Sequence, residues 1–406
     1  MIGIPGSLFK AMISYFSLFL FLEIFFSLKI KNNPSSVFFL IIIAIYTLLV
    51  TISGIYNDNS YMQMYSYYLY TLPGFLIYII VSNKNFDDYQ IIELNKLFSG
   101  LFLLQIFAAI LKFTIRGTSE TVIGTIHYSN GSLNTILPLI AISMIIGLYY
   151  FFNNNKVYIF LAVCFMFIAF AGEKRGVYFY LVLLLIISYL SYLRLTSQIN
   201  INKLLFFSIM IIPTLFGIIY IGVRIAPTLN PQESYGGSFD LSYLINYIVT
   251  YNFQFDESGM AGGRLSGIVN VFKSMYFNES ISSFMIGDGP GTLLGIENSG
   301  NNNIQSKYML STLSLGINGW STALISIGFF GAIITTCIYL YISVISYKQC
   351  KIELDPYWKA ISFGTFLITI VFFLDFFTYS RSFYHTIPLN IILFYLIGAI
   401  ERRRYS

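Results

Sequence analysis

Ser36-Val37-Phe38-Phe39-Leu40-Ile41-Ile42-Ile43-Ala44-Ile45-Tyr46-Thr47-Leu48-Leu49-Val50-Thr51-Ile52-Ser53-Gly54 is an unbroken run without a charged side chain. About 20 such residues, coiled as a helix, cross the ~30 Å hydrocarbon layer of a bilayer, and a helix satisfies every backbone amide within the segment. Comparable runs recur near 8–28, 66–82, 97–115, 134–152, 157–172, 176–193 and 204–223, and after a long gap near 317–344, 358–378 and 384–400. The pattern predicts an all-α polytopic integral membrane protein with about 11 (10–12) transmembrane helices. The first run ends in Leu28-Lys29 without a small-residue cleavage site, so it reads as a span and not as a signal peptide.

Composition agrees. With 56% hydrophobic and only 10% charged residues in 406, the chain has too few charges to coat a water-soluble globule of its size. A formal charge of +5 would suggest an anionic partner in a soluble protein; here lysine and arginine chiefly report topology, and nothing points to nucleic acid. Cys164, Cys337 and Cys350 lie in or beside apolar runs without C-x-x-C spacing, which indicates neither a zinc site nor a disulfide framework.

Alternate loops differ in charge. Lys29, Lys31, Lys84, Lys96, Lys156, Arg194, Lys203, Lys348, Lys351, Lys359 and Arg402-Arg403-Arg404 fall on one side, which the positive-inside bias makes cytoplasmic. The N-terminus, the 55–65 turn, the 116–133 loop, the 172–175 turn, the long gap and the 379–383 turn then face outward. Three regions result: an N-terminal helix bundle over 1–223 with about eight spans, an extracytoplasmic loop over 224–316 between the eighth and ninth spans, and about three spans with a short basic tail over 317–406. Inside the loop, apolar residues at 265, 268, 269, 272, 275 and 276 share one helical face, predicting an amphipathic helix near 264–277 on the membrane plane.

Basic residues on the outward side run against the bias and need a reason. Arg175, Arg224, Arg264 and Arg381 qualify, with Lys174 beside the first. A guanidinium offers a planar donor fork matched to phosphate oxygens and stays charged. The plainer alternatives are snorkelling at the interface, or pairing with Glu173, Asp375 or a loop carboxylate. Ile286-Gly287-Asp288-Gly289-Pro290-Gly291-Thr292 is a glycine-rich turn suited to close backbone approach, but it lacks the Gly-Lys-Ser/Thr of a nucleotide loop. No outward D-x-D motif is present, so no metal-bound nucleotide sugar and no cofactor is expected. His127 and His385 both fall on the outer face, as a general base or as ordinary polar side chains. Trp320 is an interface residue first and a sugar-stacking candidate second.

The order of these motifs resembles the O-antigen polymerase and ligase superfamily. The resemblance is carried by Gly263-Arg264 before a loop helix, by the 286–292 turn, and by Asn318-Gly319-Trp320 running into Ile327-Gly328-Phe329-Phe330-Gly331. Gly172-Glu173-Lys174-Arg175-Gly176 is similar to the family's arginine-containing turn, and Gly124-Thr125-Ile126-His127-Tyr128-Ser129-Asn130 to its earlier glycine-to-asparagine motif. The resemblance covers the chain from about Gly124 onward. It implies a GT-C-like, metal-independent glycosyltransferase on the outer face of the bacterial inner membrane. A growing glycan would leave its undecaprenyl diphosphate and be attacked by the terminal sugar hydroxyl of another undecaprenyl-diphosphate-linked repeat unit. Membrane lipid and a chain-length regulator are the partners it implies. Arg175 and Arg264 match the family's arginines; Arg224, Arg381, Lys174, Trp320 and the turn residues Gly287, Asp288, Gly289 and Gly291 are the further binding candidates.

Where the ligases carry histidine this chain has Asn318, which takes no proton at neutral pH. That favours polymerase over ligase and leaves the base open among His127, His385, Glu173, Asp288 and a tyrosine relay. A ligase-type transferase and a lipid-linked oligosaccharide flippase remain the alternative readings.

Overall fold

The computed structural model describes residues 6–27, 34–84, 86–117, 119, 122, 124, 125, 133–153, 155–172, 174, 176–197, 213, 216, 217, 219, 220, 222–224, 230–234, 236–254, 263–278, 280–292, 308 and 317–405. The helices among them are α1 (Gly6–Ser27), α2 (Pro34–Tyr56), α3 (Tyr61–Asn83), α4 (Asp88–Arg116), α5 (Leu133–Phe151), α6 (Lys156–Ala171), α7 (Gly176–Leu195), α8 (Leu241–Phe253), α9 (Arg264–Asn278), α10 (Ile281–Ile286), α11 (Gly319–Ile352), α12 (Pro356–Leu374), α13 (Ser382–His385) and α14 (Ile387–Tyr405), with a π-helical turn at Asp375–Tyr379. The chain is an all-helical polytopic membrane protein. Among the described residues seven helices are long and apolar enough to cross a bilayer: the apolar parts of α2, α3, α4, α5, α7, α11 and α12. Most of the run expected at 204–223 lies outside the described residues.

Lipid replaces water as the solvent of the apolar surface. In α4 only 11% of the most apolar window is buried by protein, against 72% in α5, yet both windows are strongly apolar. Leu97, Leu101, Leu104, Phe107 and Leu111 of α4 are all exposed. In water such a face would aggregate; against acyl chains it is at equilibrium.

The chain forms two compact units. The first comprises Asp87–Tyr247 and Ile345–Val371. Asp87 starts α4 with a capping box, its side chain accepting from Gln90 N (2.7 Å), and Asn155 caps α6 through Val157 N (3.0 Å). α5 meets α12 backbone to backbone at Gly147, where a Cβ would stand 2.4 Å from the Ala360 carbonyl oxygen. Tyr150 stacks on Tyr192 with centroids 4.5 Å apart.

The second unit comprises Ile4–Phe86, Ile248–Val344 and Phe372–Ser406. Its centre is the packing of α14 on α3. Gly74 gives Phe394 room that a Cβ would close to 2.7 Å, and beside Pro73 the Asn390 amide donates to the Tyr70 carbonyl (2.9 Å). Glu401 of α14 is fully buried and accepts from three hydroxyls: Ser36 of α2 (2.9 Å), Tyr78 of α3 and Tyr341 of α11. Phe39 lies between them, stacked on Tyr341 (4.5 Å) and edge-on to Tyr78 (4.7 Å).

The helix expected near 264–277 is α9. The row Ser266, Asn270 and Ser274 is buried with Val271 and Met275, while Val269, Phe272, Tyr276 and Phe277 are exposed. Small residues thus face the protein and aromatic ones face away, the sorting that lets helices approach closely where lipid gives no hydrophobic drive. Val271 and Met275 join Phe284, Tyr308, Leu324 and Ile325 in one apolar cluster, which lays α9 along the first part of α11.

Candidate functional site

α11 is two helices in one. At Gly328 the backbone turns to φ 70°, ψ −171°, a conformation essentially reserved for glycine, and helical geometry resumes beyond it. The glycine-rich turn fills the break. A Cβ on Gly287 (φ 87°) would stand 2.5 Å from Gly328 N, and one on Gly328 would stand 2.3 Å from the Met285 carbonyl oxygen, so the two backbones cross in direct contact. Carbonyls freed by the break find donors there: Asp288 N donates to Ile325 O (2.7 Å) and Ser53 Oγ to Ser326 O (2.8 Å). The turn is itself fastened to the α2–α3 connection, with Asn57 Nδ2 donating to Gly287 O (2.9 Å) and Gly291 N to Asn59 Oδ1 (2.6 Å). Tyr308 OH donates to Asp288 Oδ2. Gly287, Gly289 and Gly291 are buried, and their geometry serves this junction. Non-helical backbone is tolerated at membrane depth only when its polar groups are answered in this way.

Asn318 caps the first half of α11. Its Oδ1 accepts from Ser321 N (2.9 Å) and its Nδ2 donates to Phe377 O (2.7 Å), while Gly319 N donates to Ser380 O (2.8 Å). The half-helix therefore begins against the 375–382 segment. Trp320 stacks on Phe377 (5.3 Å) and lies edge-on to Phe376 (6.2 Å).

Asp375 opens the π-helical turn, a local widening that often marks a functional position in a helix. The residue is 2% exposed. Its Oδ2 accepts from Ser382 N (3.2 Å), and the Ser380 and Ser382 hydroxyls, 3.0 Å from each other, adjoin it. Its Oδ1 is buried and has no hydrogen-bond partner. Arg264, at the start of α9, is near enough for its charge to act on Asp375, and α9 packs against the Asp375–Tyr379 turn. Arg381 sits between the two serines, partly exposed, its carbonyl accepting from Tyr384 N (2.8 Å).

The second unit thus gathers Arg264, Asn318, Trp320, Asp375, Ser380, Arg381 and Ser382 where two helices begin. Helix N-termini carry partial positive charge and favour anions, and two cations add to that field. Lys174 and Arg224 belong to the first unit: Lys174 is buried, and Arg224 is exposed with its guanidinium 4.8 Å from the Tyr220 ring centroid. Arg175, His127 and Glu173 lie outside the described residues, as does the His385 side chain at the end of α13. Among the described residues no three of His, Cys, Asp and Glu gather as a metal site requires.

Asp375 is the residue that sequence reasoning undervalued, treating it only as a counter-ion for an arginine. Its signal is a lone acid in the apolar run Ile368-Thr369-Ile370-Val371-Phe372-Phe373-Leu374-Asp375-Phe376-Phe377, because an ionisable group at membrane depth is a functional candidate by default.

A scan against protein-family models finds none that matches, and no curated protein matches the chain in sequence.

Proposed function

We propose that this protein is a polymerase of a lipid-linked surface polysaccharide, acting without a metal on the outer face of the bacterial inner membrane. The observation that supports the reading is Arg264 acting on a buried, half-partnered Asp375 beside the start of the broken helix, with Arg381 following in the same segment of chain. The donor is a glycan on undecaprenyl diphosphate and the acceptor is the terminal sugar of a second lipid-linked unit. A new bond forms between the acceptor oxygen and the anomeric carbon as the bond from that carbon to the diphosphate oxygen breaks. The electron pair leaves with the diphosphate, and the acceptor proton passes to Asp375 Oδ1. The arginines stabilise the charge that grows on the leaving diphosphate, an electrostatic task suited to fixed donors in a dry site. Asn318, its amide engaged at both ends, holds the half-helix to the Asp375 turn and takes no proton.

Purified protein supplied with a lipid-linked repeat unit, without metal or nucleotide, is expected to yield a ladder of longer lipid-linked glycans. Transfer to a different acceptor with no ladder would replace the polymerase by a ligase. One observation favours a transporter instead: interrupted helices such as α11 are common at transport sites. Movement of unchanged substrate across a liposome membrane, with no lengthening, would put that second reading first.

A further inference from the structure

Next to Asp375 the second unit buries a group of hydroxyls that the glycosyl-transfer reading does not use. Tyr46 of α2, Tyr67 of α3, Tyr339 of α11 and Tyr384 of α13 are each at most 4% exposed. Tyr67 and Tyr384 rings lie 5.6 Å apart, and Tyr384 OH is 3.2 Å from Thr335 Oγ1. The hydroxyls of Tyr46, Tyr67, Thr71 and Tyr384 neighbour one another. Tyr339 packs its ring on Phe376 (5.5 Å) and Phe372 (6.2 Å), on either side of Asp375 in sequence, and interacts electrostatically with both Asp375 and Tyr384. The patch is therefore continuous from Tyr46 to the carboxylate.

Its bonding is incomplete in one respect. Tyr339 OH and Asp375 Oδ1 are buried and make no direct hydrogen bond, while Tyr46 OH, Tyr67 OH and Thr71 Oγ1, equally buried, adjoin one another and Tyr384 OH without a close, well-directed bond. Buried polar atoms are nearly always partnered, by protein or by ordered water. An internal water makes about three bonds to such groups, whereas purely apolar cavities stay dry. Tyr78 shows the contrast within the same unit: it is as deeply buried, and its hydroxyl goes straight to Glu401.

We propose that Tyr46, Tyr67, Thr71, Tyr339 and Tyr384 bind a cluster of internal water molecules that reaches Asp375 Oδ1. The cluster solvates the face of the carboxylate turned away from its serine partners and holds it in orientation. Tyr339, the hydroxyl beside Asp375, is a positioning residue. The role of this water in turnover rests on the reading of Asp375 as the proton acceptor; the water site itself does not.

The experiment is radiolytic hydroxyl-radical labelling of the full-length protein in nanodiscs, since a buried side chain is oxidised under the pulse when it touches internal water. Tyr46, Tyr67 and Tyr384 are expected to be modified several-fold faster than Tyr78. Modification of all three at or below the Tyr78 rate would overturn the proposal. Tyr339→Phe keeps the ring and removes the hydroxyl; it should lower kcat several-fold with KM for the lipid-linked unit unchanged, and reduce labelling of Tyr67. Unchanged kcat and labelling in Tyr339→Phe would remove the link to Asp375. Strong labelling in a protein whose Asp375→Asn variant polymerises normally would support the water cluster and overturn the proton-acceptor reading instead.

Discussion

Gly328→Ala tests whether the broken helix is what holds the site together. The residue sits at φ 70°, ψ −171°, where a side chain strains the backbone by about 1–3 kcal/mol. The added Cβ would also stand 2.3 Å from Met285 O, 2.4 Å from Met285 C and 2.5 Å from Gly287 N, all backbone atoms with no rotamer to turn aside. Overpacking of this kind costs a further ~1–3 kcal/mol. Relief requires the turn to withdraw, which would break the bonds from Asp288 N to Ile325 O and from Asn57 Nδ2 to Gly287 O, at about 0.5–1.5 kcal/mol each. The sum is several kcal/mol, a large share of a typical folding free energy. The control is Gly100→Ala in α4, where a Cβ would meet nothing within 4 Å and a helix gains roughly 0.5–1 kcal/mol. The assay is thermal unfolding in detergent followed with a thiol-reactive dye, for which the buried Cys350 is a reporter. Gly328→Ala should unfold well below the parent and lose glycan lengthening, while Gly100→Ala unfolds at or above it. Equal midpoints for the two variants, with a normal ladder from Gly328→Ala, would refute the reasoning.

Asp375→Asn should cut polymerisation by about 10²-fold or more while substrate still binds, measured as initial rate of ladder formation against lipid-linked unit concentration. Arg264→Lys keeps the charge and loses the planar fork; shorter or fewer glycans at normal protein level are expected, and unchanged chains would remove Arg264 from the site. Tyr341→Phe takes one donor from Glu401 and should destabilise by about 1–3 kcal/mol with the ladder pattern retained below the new unfolding temperature. A cysteine at Ser299 should be labelled by an impermeant thiol reagent in intact spheroplasts, and labelling only after the inner membrane is broken would reverse the topology.

Seven of the expected membrane-spanning runs were legible because lipid imposes one rule on every span; among the described residues the helices at 8–28, 157–172 and 384–400 are not among those long and apolar enough to cross. The run at 36–54 appears within α2, and the apolar spacing after Gly263 appears as α9. What stayed hidden depends on contacts between segments far apart in sequence. The run expected at 317–344 carries no charged residue, and nothing in its hydropathy says that the chain folds out of helical geometry at Gly328; the reason is the Gly287 backbone pressed against it. The stripe expected on α9 is only half exposed, because packing selects the small residues Ser266, Asn270 and Ser274 for the buried side. At the candidate site, the arginines were legible as charges on the wrong side of the topological bias. Asp375 was not, since its partners Ser380 and Ser382 become partners only when the π-helical turn brings the chain back.

Helix α14 carries Glu401 and Asn390 fully buried and is not among the helices apolar enough to cross lipid unaided. Both residues are met on α3, at Tyr78 and the Tyr70 carbonyl. A helix carrying a buried acid partitions poorly from the translocation channel into bare lipid. It enters readily along a neighbour that already displays the complementary groups. α3 leaves the ribosome long before α14, so the groups that α14 needs are already in place when it emerges. A lesion at Tyr78 would then be felt during biogenesis, as failed integration of α14, before it was felt in the finished protein.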